Sequence, residues 1–180
     1  MIDPLVRFVT ALPILEAHSG LRLVIIGGVA RGVWAAPRAT MDVDILVEAD
    51  DATLVIPHAA YAGLVAVPEE VAALRDSGMT RLRLPDHLRG AIRLDILAAD
   101  HPYYRRVIER SRPVELFSQR VRVAAPEDIL LLKLLADRIQ DRADVEAIVA
   151  AQVGNLDLEV LEREASEIEV ALPASLTQPQ

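Results

Sequence analysis

The sequence contains no cysteine, few aromatic residues and no long apolar run. Without cysteine, the chain can form neither a disulfide framework nor a thiolate metal site. Aromatic residues make up 3% of the 180 residues and hydrophobic residues 52%, so we expect an aliphatic, alanine-rich core. No apolar run approaches the roughly 18 to 20 residues of a membrane span, and no basic segment precedes the apolar N-terminus. We therefore predict a cytoplasmic protein without a signal peptide or a membrane partner.

Charge is distributed unevenly along the chain. The formal net charge of −8 argues against indiscriminate nucleic-acid binding through overall charge. Residues 101–122 nevertheless contain six arginines and only two acidic residues. This basic stretch has two interpretations. It contacts RNA or a triphosphate, or it is an ordinary solvated surface.

The other segments are organised around residues 21–47, which are typical of a strand, a glycine turn, a helix and a second strand. The apolar run 23–26 fits a buried strand, and Gly27-Gly28 follows it without side chains that would block a close backbone approach. We expect a short helix over residues 29–36, ended by a proline. A strand, a glycine pair and a helix N-terminus together present free amides to a phosphate.

The second strand of this stretch carries two carboxylates on one face. Asp42 and Asp44 are two residues apart, and such residues share a strand face. Adjacent carboxylates repel each other, which favours a cation between them. Mg²⁺ is the expected cation because it takes oxygen ligands and is often shared between carboxylates and substrate phosphates. The alternative is an exposed edge strand with two solvated aspartates.

A third acid, Asp95, lies in the middle of a predicted strand over residues 91–97. This is an unfavourable place for a carboxylate without a partner. We expect the strand to pair in antiparallel fashion with residues 79–84. In a purely structural interpretation, Asp95 forms a salt bridge to Arg93 or to Arg83.

Residues 126–146 combine the most apolar helix of the chain with a second acidic pair. Lys133 interrupts a run of leucines, so it either extends to the surface or faces a polar site. Asp141 and Asp144 are three positions apart and share a helix face. The structural alternative is a surface helix pair with a buried leucine seam.

The remaining segments complete an α+β pattern. We expect an N-terminal helix over residues 3–18 with Asp3 as its cap, kinked or divided at Pro13. Further predicted elements are helices over 52–61, 68–75 and 100–110 (N-cap Asp100), a hairpin over 113–125 around Ser118-Gln119, an amphipathic helix over 155–172, and a frayed tail.

These motifs together resemble the nucleotidyltransferase superfamily typified by polymerase β. The resemblance rests on Ile26-Gly27-Gly28 followed, after a long spacer, by Asp42-Val43-Asp44-Ile45. Arg38-Ala39-Thr40, just before the aspartates, resembles the AbiEii-like toxin branch and the minimal nucleotidyltransferases. Residues 126–146, with their Pro-x-Asp helix start, lysine and D-x-x-D, resemble the C-terminal signature of the same branch. Where many members have serine after the first glycine, this chain has Gly28, which leaves only backbone donors.

The resemblance implies a mixed sheet flanked by helices, with a C-terminal helical segment. It implies two Mg²⁺ ions and an NTP substrate, with Asp42, Asp44 and Asp95 as metal ligands and catalytic residues. Lys133 is implied to act in catalysis and to contact the triphosphate. The implied nucleotide-binding residues are Gly27, Gly28, Arg38, Thr40, Lys133, Asp141 and Asp144.

The implied organisation is a nucleotidyltransferase core with its N-terminal helix over residues 1–125, a helical segment over 126–172 that completes the active site, and a flexible tail over 173–180. The implied activity is transfer of a nucleoside monophosphate to an acceptor hydroxyl, with tRNA as the expected acceptor of a toxin–antitoxin enzyme. Transfer to a small molecule, as by aminoglycoside-modifying enzymes, or to a protein is an alternative. A third alternative is a non-catalytic antitoxin or binding subunit. The resemblance also implies a cognate antitoxin or toxin as a partner.

Overall fold

A computed structural model describes residues 3–177 of the chain. Its seven strands are β1 (Leu23–Ile26), β2 (Asp42–Val47), β3 (Val65–Ala66), β4 (Met79–Arg83), β5 (Arg93–Ala98), β6 (Arg112–Leu116) and β7 (Gln119–Val123). They form one mixed sheet in the order β3-β4-β5-β2-β1-β7-β6. The predicted α+β class, with a mixed sheet and flanking helices, is confirmed.

Eight α-helices accompany the sheet within the described part of the chain. They are α1 (Pro4–Ser19), α2 (Gly27–Trp34), α3 (Pro68–Leu74), α4 (Pro102–Arg110), α5 (Pro126–Ala136), α6 (Ile139–Ala151), α7 (Leu158–Glu167) and α8 (Ala174–Thr177). Over residues 3–177, none of these helices has the length and apolar character needed to cross a membrane. Two 3-10 helices, Ala52–Ala62 and Arg75–Ser77, complete the secondary structure.

The register of the central strands brings the candidate acids together. Strand β2 pairs in parallel with β5, so that Asp44 lies beside Asp95. On its other edge, β2 pairs in antiparallel fashion with β1, where Ile26 is the partner of Asp44. The predicted antiparallel pairing of β4 and β5 is confirmed, and it places Arg81 beside Asp95.

Alternation along β2 separates the core from the site. Val43 and Ile45 are fully buried on one side, while Asp42 and Asp44 are partly accessible on the other. The apolar face of α1, which includes Phe8, packs into the same core. Because a strand projects successive side chains to opposite faces, the buried valine and isoleucine fix the direction in which both carboxylates point.

Several local predictions need correction. Helix α1 is continuous through Pro13, so a division of the helix there is wrong, while a kink at Pro13 stays a prediction. The cap of α4 is His101, whose ring nitrogen accepts a hydrogen bond from the backbone amide of Tyr103 at 3.2 Å; it is not Asp100. The helix expected over residues 52–61 is a 3-10 helix that contains Pro57.

The chain end also differs from the prediction. Helix α7 covers ten residues and is shorter than the predicted 155–172 segment. Ala174–Thr177 forms a short helix within the predicted tail, and residues 178–180 lie outside the described residues. The predicted boundary near residue 125, between the nucleotidyltransferase core and the C-terminal helical segment, stays a prediction.

Candidate active site

A cleft of about 760 Å³ adjoins the accessible face of β2 and β5. Asp42, Asp44 and Asp95 line it from the sheet, and Lys133 of α5 lines it from the helical side. Of the ten predicted site residues, nine line this cleft: Gly27, Gly28, Arg38, Thr40, Asp42, Asp44, Asp95, Lys133 and Asp141. The tenth, Asp144, is buried against the cleft wall.

The three predicted metal ligands form one compact group. One carboxylate oxygen from each of Asp42, Asp44 and Asp95 lies within 4.8 Å of the other two. Burial, followed by repulsion from Asp42 and Asp95, raises the pKa of the Asp44 carboxyl to about 6. Among residues 3–177, no hydrogen bond or ion pair reaches the Asp44 side chain. Three carboxylates this close, one of them unpartnered, make an oxygen donor set that suits a hard divalent cation.

Two arginines pair with the outer members of this group. Arg93 donates to Asp95 at 2.8 Å and to Asp42 at 3.0 Å. Arg81 binds both oxygens of Asp95, at 2.6 and 3.2 Å. The predicted salt bridge from Arg93 is therefore present, but the alternative from Arg83 is wrong. Arg83 instead binds Glu70 of α3, because its register position lies beyond Asp95.

The glycine pair lies directly against the acids. Gly27 has a φ of +62°, and a Cβ there would lie 2.0 Å from Oδ2 of Asp44. A Cβ on Gly28 would lie 3.0 Å from the Thr40 hydroxyl, which itself donates to Asp42 at 2.9 Å. The predicted turn is in fact the first turn of α2, which begins at Gly27. Only glycine allows the start of this helix to approach the carboxylates so closely.

Lys133 is held by the second acidic pair. Its Nζ donates to Asp141 at 2.7 Å and lies 3.0 Å from Asp144. Asp144 also binds the predicted site residue Arg38 through two hydrogen bonds, at 3.1 and 3.0 Å, and lies 3.1 Å from Nε of Arg31. One buried carboxylate thus holds cations from three different segments of the chain.

Asp141 has both a local and a long-range role. It caps α6 by accepting from the backbone amide of Arg138 at 3.3 Å, and it accepts from the side chain of Arg138 at 2.7 Å. Burial opposes ionisation of Asp141, but the hydrogen bonds from Arg138 and Lys133 outweigh it and lower its pKa. In Asp144, hydrogen bonds from Arg38 and Lys133 likewise outweigh burial and lower the pKa. Both acids are therefore ionised and fix cations at the cleft.

The other part of the cleft is apolar. Leu97 follows Asp95 on the same strand face, and Met79 is its partner on β4. Tyr104 of α4, with Ile129 and Leu132 of α5, completes this wall. The cleft therefore has one end suited to phosphates and cations and another suited to an uncharged group.

The arginine-rich stretch 101–122 is largely neutralised within the chain. Arg106 and Arg110 pair with the buried Glu164 of α7, at 2.9 and 2.7 Å. Arg110 also binds Asp128 at 2.6 Å, and Arg105 binds Asp50 at 2.6 Å. These contacts fasten α7 to α4 and α5, and none of these arginines lines the cleft. The stretch consequently lends no structural support to RNA binding.

Sequence reasoning missed Arg31, Arg81 and Arg138. Arg31 is an arginine within a short, otherwise uncharged helix, and its 7% exposure indicates a buried partner. Arg138 is the N-cap residue of α6, whose third residue is acidic, and this is a recognisable capping arrangement. Arg81 could be found only from the β4–β5 register.

Comparison with known proteins identifies the family. Residues 11–168 match the family model described as nucleotidyl transferase AbiEii toxin, type IV TA system. Among proteins of curated function, none matches the sequence.

Solved structures share the fold. The solution structure of the antibiotic-resistance factor ANT(2″)-Ia has a TM-score of 0.60 and 15% identity, over 93% of this chain and 93% of that one. The crystal structure of ANT(2″)-Ia with adenylyl-2″-tobramycin has a TM-score of 0.59 and 15% identity, over 92% and 97%. An antigenic nucleotidyltransferase-like protein from Paracoccidioides brasiliensis has a TM-score of 0.50 and 16% identity, over 96% and 92%.

At these identities the structures establish the fold, and the family model establishes the relationship. Because the model matches most of the chain, this protein is a nucleotidyltransferase that belongs to the AbiEii toxin family.

Proposed function

We propose that this cleft catalyses Mg²⁺-dependent transfer of a nucleoside monophosphate from an NTP to an acceptor hydroxyl. The observation that carries the proposal is the group of Asp42, Asp44 and Asp95, whose oxygens lie within 4.8 Å of one another beside a glycine helix start. Such chemistry depends on positioning and on electrostatic stabilisation of a transferring phosphoryl group. The cleft supplies both.

Mg²⁺ fits the donor set. All three residues offer carboxylate oxygens, and the elevated pKa of Asp44 reflects burial and repulsion that a cation would relieve. We assign Asp42, Asp44 and Asp95 to hold two ions. When bound, Mg²⁺ would lower the pKa of the acceptor hydroxyl and neutralise the charge of the leaving pyrophosphate.

The triphosphate would lie between α2 and α5. The amides at Gly27 and Gly28 point from the first turn of α2 and offer backbone donors to phosphate oxygens. The same cleft is lined by Lys133, Arg38 and Arg138. Together with Arg31, these side chains give four positive charges on this side of the cleft, against the two negative charges of Asp141 and Asp144. This positive surplus suits a polyanion. Asp141 and Asp144 act in this proposal as positioning residues for the cations that touch the nucleotide.

The acceptor we propose first is RNA, with tRNA as the specific candidate. Its support is membership of a toxin family of a type IV toxin–antitoxin system. A cognate antitoxin is then the expected partner. A non-catalytic subunit is disfavoured, because such a protein has no need of three acids converging within 4.8 Å.

A small-molecule acceptor is the second candidate. A specific feature favours it: the apolar wall around Leu97 and Tyr104 lies inside a cleft of about 760 Å³, a volume typical of small-molecule sites. The likeness to ANT(2″)-Ia covers 93% of both chains, so the two proteins have the same overall architecture.

The test is transfer of label from each α-³²P NTP, with Mg²⁺ or with EDTA, into total cellular RNA and into protein. The active-site variant is the double substitution Asp42→Asn/Asp44→Asn, and the matched control is Asp86→Asn, an exposed acid that does not line the cleft. Label in RNA that requires Mg²⁺ and disappears in the double variant supports the RNA proposal. NTP-dependent stabilisation without labelled RNA or protein directs the search to small molecules. Labelling that survives EDTA or the double substitution refutes the proposed site.

A further inference from the structure

We propose that Arg93 is an internal counter-cation that competes with Mg²⁺ for Asp42 and Asp95 and must move aside when the ion binds. The inference rests on the proposed Mg²⁺ site. Arg93 begins β5 and is the register partner of Asp42 on β2. Its guanidinium lies between two carboxylates, with Nε 2.8 Å from Asp95 and Nη2 3.0 Å from Asp42.

The oxygens that Arg93 occupies are the ones left for a metal. In Asp42, Oδ1 accepts from Thr40 and Oδ2 accepts from Arg93. In Asp95, Oδ1 accepts from Arg81, and Oδ2 accepts from Arg93 and Arg81. An ion held by these two residues would lie close to the guanidinium that contacts both of them, and its charge would repel that guanidinium.

Asp44 shows where this arrangement is incomplete. Its side chain has no ion-pair partner within residues 3–177, although Asp42 and Asp95 both do. A guanidinium can bridge two carboxylates through its planar set of donors, but it leaves the third unmatched. A divalent ion would match all three carboxylates. Its binding would therefore replace a cation that pairs with two of them by a cation that pairs with all three.

Arg81 provides the internal comparison. It also pairs with Asp95, but from the β4 side, and its other nitrogen lies 3.6 Å from Glu70. It makes no contact with Asp42 among the described residues. Arg81 therefore orients Asp95 without filling the space between the two acids. The remaining nitrogen of Arg93 donates to the carbonyl of Ala91 in the exposed preceding loop.

The decisive experiment compares Arg93→Met with Arg81→Met. Each substitution removes one positive charge beside Asp95, so Arg81→Met reports the effect of losing one charge without losing a contact to Asp42. Mg²⁺ is titrated without nucleotide at constant ionic strength, and binding is followed by calorimetry and by the shift in melting temperature. We expect the Mg²⁺ dissociation constant of Arg93→Met to be about tenfold lower than that of Arg81→Met, a ratio that corresponds to about 1.4 kcal/mol. We also expect the parent to bind Mg²⁺ more weakly than Arg93→Met.

Equal Mg²⁺ affinity in the two methionine variants would show that only the loss of a positive charge changes Mg²⁺ binding, and it would overturn the proposal. Weaker binding by Arg93→Met than by the parent would also overturn it. Arg93→Lys keeps the charge but lacks the planar fork of donors with which the guanidinium spans Asp42 and Asp95, and it replaces Arg93→Met if that variant does not fold. We expect it to bind Mg²⁺ more tightly than the parent.

The parent protein separates this inference from the proposed function. If the parent neither binds Mg²⁺ nor transfers label, the metal site itself is refuted. If the parent binds Mg²⁺ and transfers label while the Arg93 variants bind no more tightly, only the competition by Arg93 is refuted.

Discussion

Asp44 of β2 and Asp95 of β5 are register partners on two parallel strands, so their carboxylates leave the sheet side by side on one face. Asp42 joins them because it lies two residues before Asp44 on the same strand. The acidic group is thus a product of strand pairing and requires no special loop. Its geometry is anchored by the buried side chains of Val43 and Ile45 on the opposite face.

Substitution of Asp95 by asparagine should abolish nucleotidyl transfer. The change is nearly isosteric, but it removes one negative ligand from the proposed metal site while Arg81 and Arg93 remain close by. We expect kcat to fall by about three orders of magnitude or more, since metal ions contribute several kcal/mol of charge stabilisation to such reactions. Single-turnover transfer at saturating Mg²⁺ measures the effect. Asp86→Asn serves as the surface control, and an Asp95→Asn enzyme with parental kcat would exclude Asp95 from the site.

Gly27 should tolerate no side chain. In Gly27→Ala the new methyl group would lie 2.0 Å from the Asp44 carboxylate, which must move and disturb the proposed metal ligands. We expect transfer to be lost together with Mg²⁺-induced stabilisation. Gly63→Ala is the matched control, because Gly63 has a similar φ of +68° but nothing within 4 Å of its Cβ position. That variant should lose about 1 kcal/mol of stability through the left-handed backbone and keep its activity. Equal loss of activity in both variants would point to backbone strain instead.

Periodicity and glycine placement predicted much of the site, whereas register and packing determined the rest. Asp42 and Asp44 could be placed on one face because a strand alternates regardless of its neighbours. Arg81 and Arg83 also alternate onto one face, so periodicity could not decide which of them pairs with Asp95; the β4–β5 register decides it. Similarly, cap preference pointed to Asp100, but the helix begins at Pro102, so that His101 occupies the cap position.

The second acidic pair shows the same limit. Its i, i+3 spacing predicted a shared helix face, yet spacing alone gives no information about what that face meets. The fold brings Lys133, Arg38 and Arg31 to Asp144 from three separate segments. The basic stretch 101–122 illustrates the converse, because four of its six arginines pair with acids elsewhere in the chain, including Glu164. Local charge counts cannot reveal such pairs.

Asp144→Asn should destabilise the free protein and make it more responsive to nucleotide. Removing the carboxylate leaves Lys133 and Arg31 buried with fewer counter-charges, and breaking a buried pair typically costs about 3–5 kcal/mol. An NTP can replace the missing charge, so its stabilising effect on the variant should exceed its effect on the parent. We expect kcat to fall because Lys133 and Arg38 lose their common anchor.

Thermal unfolding with and without NTP, together with steady-state transfer, tests this expectation. Asp137→Asn is the control, since within residues 3–177 the Asp137 side chain pairs only with the exposed Arg142 and asparagine tolerates its left-handed conformation. A smaller NTP-induced shift in Asp144→Asn than in the parent would show that Asp144 does not hold cations for the triphosphate.

The stability of the metal-free protein should depend on pH through Asp44. Burial and repulsion from Asp42 and Asp95 raise the folded-state pKa of Asp44 to about 6, whereas an unfolded aspartate titrates near 4. Between roughly pH 4 and pH 6 the folded protein therefore holds a proton that the unfolded chain has released, and this group makes stability fall as pH rises. Asp44→Asn removes the dependence.

In EDTA, Asp44→Asn should melt a few degrees above the parent at pH 7 and close to the parent near pH 4, where the folded Asp44 is protonated and the unfolded one is about half protonated. Melting curves of the two proteins between pH 4 and pH 7.5 give the comparison, with Asp86→Asn as a variant in which no gain is expected. Mg²⁺ at pH 7 should reverse the order, because it stabilises only the parent site. A variant that is less stable than the parent at every pH would show that the Asp44 charge is already compensated in the metal-free fold.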